Sequence, residues 1–229
     1  MDTTRSQWLI PGAIVFAGLI LALAIFSIRQ THILGAPPGD VLSMRAISPE
    51  EHIIGNPEAP VVIVEYADMD APYAKEFQQT MSQLMTEYGA SGKVAWVYRH
   101  FPLVDQHPDS ISHAEASECV ASLGNKTAFW RFIDLLHAYA PGEMQFDPGD
   151  YESIVTQLGV SKSDFDACLA QGKYTRKVEA DFANALAIGA EGSPYSVLLV
   201  KGEKPAPISG SIPYGTLKQI VESAVGASR

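Results

Sequence analysis

The sequence predicts an α/β fold: a β-α-β unit and a β-β-α unit separated by an all-helical block, preceded by one apolar N-terminal helix. Three observations carry this. Val61–Tyr66 is a continuous apolar, β-branched run that leads directly into a helical pattern, as a buried strand before a helix does. From about Pro108 to Ile188 the pattern is helical throughout. After Gly192 it returns to strands. The 229 residues suffice for one sizeable core and an appendage.

The appendage is Trp8–Ile28, an uncharged run of about 21 residues, long enough as a helix to span a hydrocarbon core of about 30 Å. Arg5 and Arg29 bracket it, and Trp8 suits an interfacial position. Pro11 falls within the first helical turn, where its missing N–H costs little. A cleaved signal peptide is the alternative, with an apolar region of about 7–15 residues ending at a small-x-small site. Here Ala22-Leu23-Ala24 is followed by Ile25, Phe26 and Ile28, so the apolar run continues past that site. Residues 1–29 are therefore expected to form an uncleaved membrane anchor. Gly35, Pro37, Pro38, Gly39, Pro49, Gly55 and Pro57 mark residues 30–58 as a tether, with room for a short strand around Leu42–Ala46.

Residues 59–229 make up the domain. After the first strand, Asp70 is placed to cap a helix whose first residue is Pro72. Tyr73, Phe77, Met81, Leu84, Met85 and Tyr88 recur at spacings of three and four, which is one buried helical face. Gly89 and Gly92 end it. Lys93–His100 reads as a second strand, stopped by Phe101-Pro102, and the β-α-β unit should cross over right-handed. Ile111–Leu123, Ala128–Tyr139, Asp150–Leu158, Lys162–Ala170 and Lys173–Ile188 are predicted helices of an insert at about residues 106–190. Tyr195–Lys201 and a short segment near Ile208 are strands, and Tyr214–Val225 closes the chain as an amphipathic helix.

A formal charge of −10 argues against nucleic acid, whose phosphates recruit Lys and Arg, and against electrostatic docking on anionic lipid. Cys119 and Cys168 are the two cysteines, and neither has a metal-ligand partner at usable spacing. An even number outside the cytoplasm suggests a disulfide, with buried free thiols as the alternative. His100, His107 and His113 lie in one short stretch, where surface or loop histidines are commoner than a metal site. No metal and no cofactor is expected.

Several short segments stand out: Val64-Glu65-Tyr66 leading into Pro72-Tyr73, Tyr98-Arg99-His100-Phe101-Pro102-Leu103 with His107-Pro108 beyond it, and Glu118-Cys119. Asp166-Ala167-Cys168-Leu169, Gly172-Lys173-Tyr174 and Gly192-Ser193-Pro194-Tyr195 complete the set. Together with the element order, they resemble the DsbA-like branch of the thioredoxin superfamily over roughly Pro60 to the C-terminus. The resemblance implies a thioredoxin-like fold with an inserted helical domain, a cis bond before Pro194, and a structural disulfide joining Cys119 to Cys168 across two insert helices. It also implies thiol–disulfide exchange with exported or unfolded polypeptides. These would bind in extended conformation along the Ser193 backbone, with Pro72, Tyr73, Pro194 and Tyr195 around the groove. The two tyrosines equally suit capping the core edge. Glu65 falls where the family places a buried carboxylate for proton transfer, and burial would raise its pKa. A strand-end carboxylate facing a lysine or water is the plain alternative.

The departure from the family is Ala71-Pro72-Tyr73-Ala74, where the resemblance calls for Cys-x-x-Cys at a helix N-terminus. There the helix dipole stabilises the first thiolate, and the second thiol resolves the mixed disulfide. Alanine has no lone pair to attack with and no sulfur to bridge. Natural decay and deliberate replacement both yield this pattern. The sequence thus points to a membrane-anchored protein of an oxidoreductase family, redox-inactive at 71–74, with its domain outside the cytoplasm, in a periplasm or at the cell surface. A non-catalytic, chaperone-like peptide-binding module is the alternative, and redox work by Cys119 and Cys168 themselves is a third.

Overall fold

The computed structural model describes residues 39–140 and 146–227. The expected anchor at 8–28 and tether residues 30–38 lie outside the described residues. Among those described, no helix is long and apolar enough to cross a membrane.

Five strands form one sheet: β1 (His52–Gly55), β2 (Val61–Ala67), β3 (Val94–His100), β4 (Tyr195–Val200) and β5 (Ala206–Ser209), in the order β1-β3-β2-β4-β5. β2 and β3 are parallel, joined by α1 (Pro72–Tyr88) as the crossover helix; the other pairings are antiparallel. All seven residues of β2 are buried, because both faces of the sheet are covered. Alternation along β2 sends Val61, Ile63 and Ala67 into one core with Phe77, Met81 and Leu84 of α1 and with Leu217 and Val221 of α7 (Tyr214–Ala227). Val62, Val64 and Tyr66 enter the opposite core with Ala185 and Ile188, at the end of α6 (Thr175–Ala187).

Between β3 and β4 lie α2 (Ser110–Leu123), α3 (Lys126–Tyr139), α4 (Tyr151–Gln157), α5 (Lys162–Ala170) and α6. The core of this insert, which includes Phe129, Phe132, Ile133, Ile154 and Phe165, is continuous with the first sheet core. Trp130 of α3 meets Trp96 of β3 there, with ring centroids 4.5 Å apart. The expected helices are present. α6 starts at Thr175 rather than Lys173, because Gly172 turns the chain first at φ +56°. Cys119 of α2 and Cys168 of α5 form a disulfide with Cα atoms 5.9 Å apart, which ties two insert helices together.

Residues 40–58 are not a tether. Val41–Ser43 form one 3-10 turn capped by Asp40, and the short strand falls at His52–Gly55 instead of Leu42–Ala46. Side chains capture the backbone that a strand at 42–46 would need. Arg99 Nη2 donates to the carbonyls of Arg45 (2.9 Å) and Ala46 (3.2 Å). Asn184 Oδ1 accepts from the Arg45 N–H (3.0 Å), and Asn184 Nδ2 donates to the Ser43 carbonyl (3.0 Å).

Candidate binding site at the start of the first helix

The parallel strands end together, and the loop Asp68-Met69-Asp70 carries the chain from β2 into α1. Ala71 is the N-cap residue, extended in backbone and without a side-chain cap, and Pro72 follows at the first helical position. Asp70 is not the cap, because its carboxylate is committed elsewhere: it accepts from His113 Nδ1 at 2.7 Å. Ala71 and Ala74 are both buried, whereas Pro72 is exposed and Tyr73 is 67% exposed. The first turn of the helix therefore presents one aromatic ring to solvent over two small methyl groups.

Three imidazoles from three places hold the three loop residues. His107, in the loop after β3, pairs through Nδ1 with Asp68 Oδ2 (2.8 Å). His137 of α3 donates from Nε2 to the Met69 carbonyl (2.9 Å), and His113 of α2 pairs with Asp70. Asp68 also accepts from the backbone N–H groups of Asp70 (2.9 Å) and Leu103 (2.8 Å). Burial pushes the Asp68 carboxyl upward, opposed by its bond to His107. Burial pulls His137 down to about 4, so it is neutral at pH 7 and its Nε2–H serves the Met69 carbonyl. Lys75, one residue past Ala74, is also drawn inside and donates to the Ala140 carbonyl (2.9 Å). Burial lowers its pKa.

The Ser193–Pro194 peptide bond is cis. The Asp68 N–H donates to Ser193 Oγ (2.7 Å), which brings this loop to the residues just before α1. The Pro194 carbonyl is used by the Gly210 N–H (2.9 Å). Ser193 thus lies against Asp68, a few residues ahead of the exposed Pro72 and Tyr73, while Pro194 itself is buried. Tyr195 does not join them as a groove wall. It opens β4 opposite Tyr66, is buried in the α6-side core, and donates its hydroxyl to the Ile188 carbonyl (3.3 Å). Register decides this, since a side chain facing Tyr66 cannot also face the exposed rim.

Glu65 lies on β2, six residues before Ala71. It is 1% exposed and accepts from Trp96 Nε1 at 2.8 Å, while its Oε1 has no hydrogen-bond partner among the described residues. Burial pushes its pKa up to about 8, so at neutral pH it is mostly a protonated acid.

Sequence reasoning missed the polar framework. His100, His107 and His113, weighed there as a possible metal cluster or as surface residues, go to three different carboxylates: Glu118, Asp68 and Asp70. Among the described residues no group of three or more metal-ligating side chains is arranged to hold an ion. The available signal was Asp68-x-Asp70 directly ahead of the helix, in a chain with several histidines in the predicted insert.

The thioredoxin family profile matches residues 47–222. Among curated proteins, the chain is 32% identical over 167 residues to a Na(+)/H(+) antiporter, NhaA 3 of Salinispora tropica, covering 72% of this chain and 24% of that protein. It is 30% identical over 202 residues to the Na(+)/H(+) antiporter NhaA 1 of Salinispora arenicola, covering 88% and 29%. The chain thus spans less than a third of the length of these relatives, which take their names from whole proteins. Among solved structures, oxidised BdbD of Bacillus subtilis superposes with a TM-score of 0.68 at 20% identity, over 82% of this chain and all of that one. DsbA2 of Pseudomonas aeruginosa gives 0.64 at 22% identity, over 78% and 96%. At these identities the structural likeness speaks to the fold, and the profile, matching well over half of the chain, speaks to ancestry: this chain belongs to the thioredoxin family and has the DsbA-like form of its fold.

Proposed function

We propose that this is a membrane-anchored, extracytoplasmic DsbA-like protein whose site at residues 71–74 binds extended segments of exported or unfolded polypeptides without exchanging disulfides with them. One observation carries the reading: Ala71 and Ala74 occupy the N-terminus of α1, where a thioredoxin-type oxidoreductase needs its two thiols, beside a Ser193–Pro194 loop that remains in place. Without a thiolate there is no nucleophile, and without a second sulfur no mixed disulfide is resolved. What is left is a surface with an exposed aromatic ring, a held loop and a backbone segment suited to pairing with an added strand.

The test has two arms. Insulin reduction and oxidation of a dithiol peptide should both show no turnover. Turnover that survives removal of Cys119 and Cys168 would overturn the redox-inactive reading. In the second arm, an unfolded, cysteine-free polypeptide should bind, and Tyr73→Ala should weaken that binding; an unchanged affinity would remove the binding reading. The Ala71→Cys/Ala74→Cys variant separates the two histories. Recovered dithiol oxidation marks a disabled enzyme on an intact frame, and silence marks a remodelled binder. The anchor is checked by mass spectrometry of the membrane-extracted protein, where a mature N-terminus near residues 25–40 would refute it.

A further inference from the structure

A second polar cluster lies away from residues 71–74, between β1, β3, α2 and α6. His52 of β1 and His100 of β3 both reach Glu118 of α2, each placing Nε2 2.8 Å from the same oxygen, Oε1. Lys177 of α6 donates its ammonium to that same oxygen at 2.5 Å. His52, His100 and Glu118 are all buried, and the His52 ring stacks on Phe129 of α3 with centroids 3.4 Å apart. Among the described residues neither imidazole Nδ1 has a hydrogen-bond partner.

The charges around it are already balanced. Lys177 also lies 3.8 Å from Asp181 of α6, which pairs with Arg45 at 2.8 Å. Glu51 pairs with Arg99 at 2.7 Å and with Arg45 at 3.3 Å. Glu51, Glu118 and Asp181 stand against Arg45, Arg99 and Lys177 before either histidine takes a proton. Tyr98, the remaining titratable group beside His100, has its pKa raised well above the ordinary value by burial and stays neutral. A proton added at either Nδ1 would therefore place an unpaired N–H and an uncompensated positive charge in a buried site.

We propose that His52, His100, Glu118 and Lys177 form an acid-sensitive clasp: it holds the strap of residues 40–55 to the insert and to α6 when the His52 imidazole is neutral, and lets β1 open when it is protonated. Burial holds His52 below its ordinary pKa, which agrees in sign. In the open state His52 takes its proton near the ordinary histidine value of about 6.5, while the clasped state resists it, so acid pulls the equilibrium toward opening. Lys177 sets this direction. Without its ammonium, Glu118 would have a negative charge to share with a protonated imidazole, and acid would tighten the clasp.

The experiment is amide hydrogen exchange on the full-length protein at the β1 amides that bond to β3, with rates normalised to intrinsic exchange, compared at pH 7.5 and pH 5.5. The opening equilibrium should rise at least tenfold at the lower pH. In His52→Gln/His100→Gln, where a side-chain Nε2–H still faces Glu118 but cannot titrate, opening should be independent of pH even if it is raised overall. In Lys177→Met the trend should vanish or reverse. A flat response in the unaltered protein, or an unchanged tenfold rise in either variant, would overturn the clasp. If a variant fails to fold, ring NMR of the unaltered protein decides. A His52 still neutral at pH 6 while β1 remains protected supports the clasp, and a His52 charged at pH 6 with β1 still protected refutes it.

Discussion

Replacing Glu65 with glutamine removes the titration of a buried carboxyl and leaves its shape in place. In the folded protein the carboxyl titrates at about 8, against 4.5 for the ordinary group, because it is buried with a single hydrogen-bond donor, Trp96 Nε1. A raised carboxyl pKa means that the folded state holds its proton more tightly than the unfolded state does. Below the ordinary value both states are protonated, and the group's contribution to stability is fully present. As pH rises the unfolded chain ionises first, and stability falls by about 1.4 kcal/mol per pH unit until the folded-state pKa is reached. Between pH 5 and pH 8 this amounts to at most about 4 kcal/mol. Glutamine does not titrate, its carbonyl can still accept from Trp96, and its amide N–H groups inherit the partnerless position of Oε1. At pH 5 the two proteins should therefore agree to within about 1 kcal/mol. By pH 8 the variant should be the more stable by about 4 kcal/mol. Urea unfolding of both proteins at pH 5, 6, 7 and 8, with unchanged m, measures the difference directly. Other titrating groups cancel between the two proteins where they are independent of residue 65. A difference that stays constant across this range would show that Glu65 is ionised in the folded state, and the account of a protonated buried acid would be wrong.

Further outcomes follow from the same contacts. Cys119→Ala/Cys168→Ala opens a loop with a sequence separation of 49 and should cost about 4 kcal/mol in the chain-entropy account, read from the urea midpoint, while leaving peptide binding unchanged. His113→Ala leaves the Asp70 carboxylate buried without its partner and should cost about 3–5 kcal/mol; Asp70→Asn/His113→Ala should recover part of that loss. Tyr73→Ala, at an exposed position, should change stability by less than about 0.5 kcal/mol, so any lost peptide affinity belongs to the surface and not to unfolding.

The parts of the fold that repeat along the chain were legible in the sequence. The apolar run of β2, the three-and-four spacing in α1 and the periodicity of the insert each report a buried face, and Pro72 marks the first helical position. Polar pairing leaves no such trace. Asp68 meets a histidine 39 residues away, Asp70 one 43 away and Met69 one 68 away, so no local pattern announces any of them. Asp70 shows how a sound local rule loses. An aspartate before a proline-led helix is a good cap, but a fully buried imidazole claimed its carboxylate and the helix starts uncapped. Composition misled at residues 40–58 for the same reason. Glycine and proline there read as a tether, and it takes the distant Arg99 and Asn184 to fix that backbone against β3 and α6. Tyr195 needed the strand register, which sequence spacing alone does not supply.

The remaining question is what a rigid frame without thiols is suited to do. Three consecutive residues ahead of α1 are each held by a separate imidazole, and the first of them is also bonded to the Ser193 hydroxyl. Catalysis by exchange would need this frame to present a sulfur, and Ala71 and Ala74 present none. Binding needs less. A peptide laid along a backbone that is already fixed loses only its own freedom on docking, because the receptor side has little left to order. An exposed Tyr73 ring then adds contact area at low entropic cost. On the reading proposed above, the histidine pins and the alanine pair serve one role, a preorganised peptide surface, with no sulfur at residues 71–74 to react.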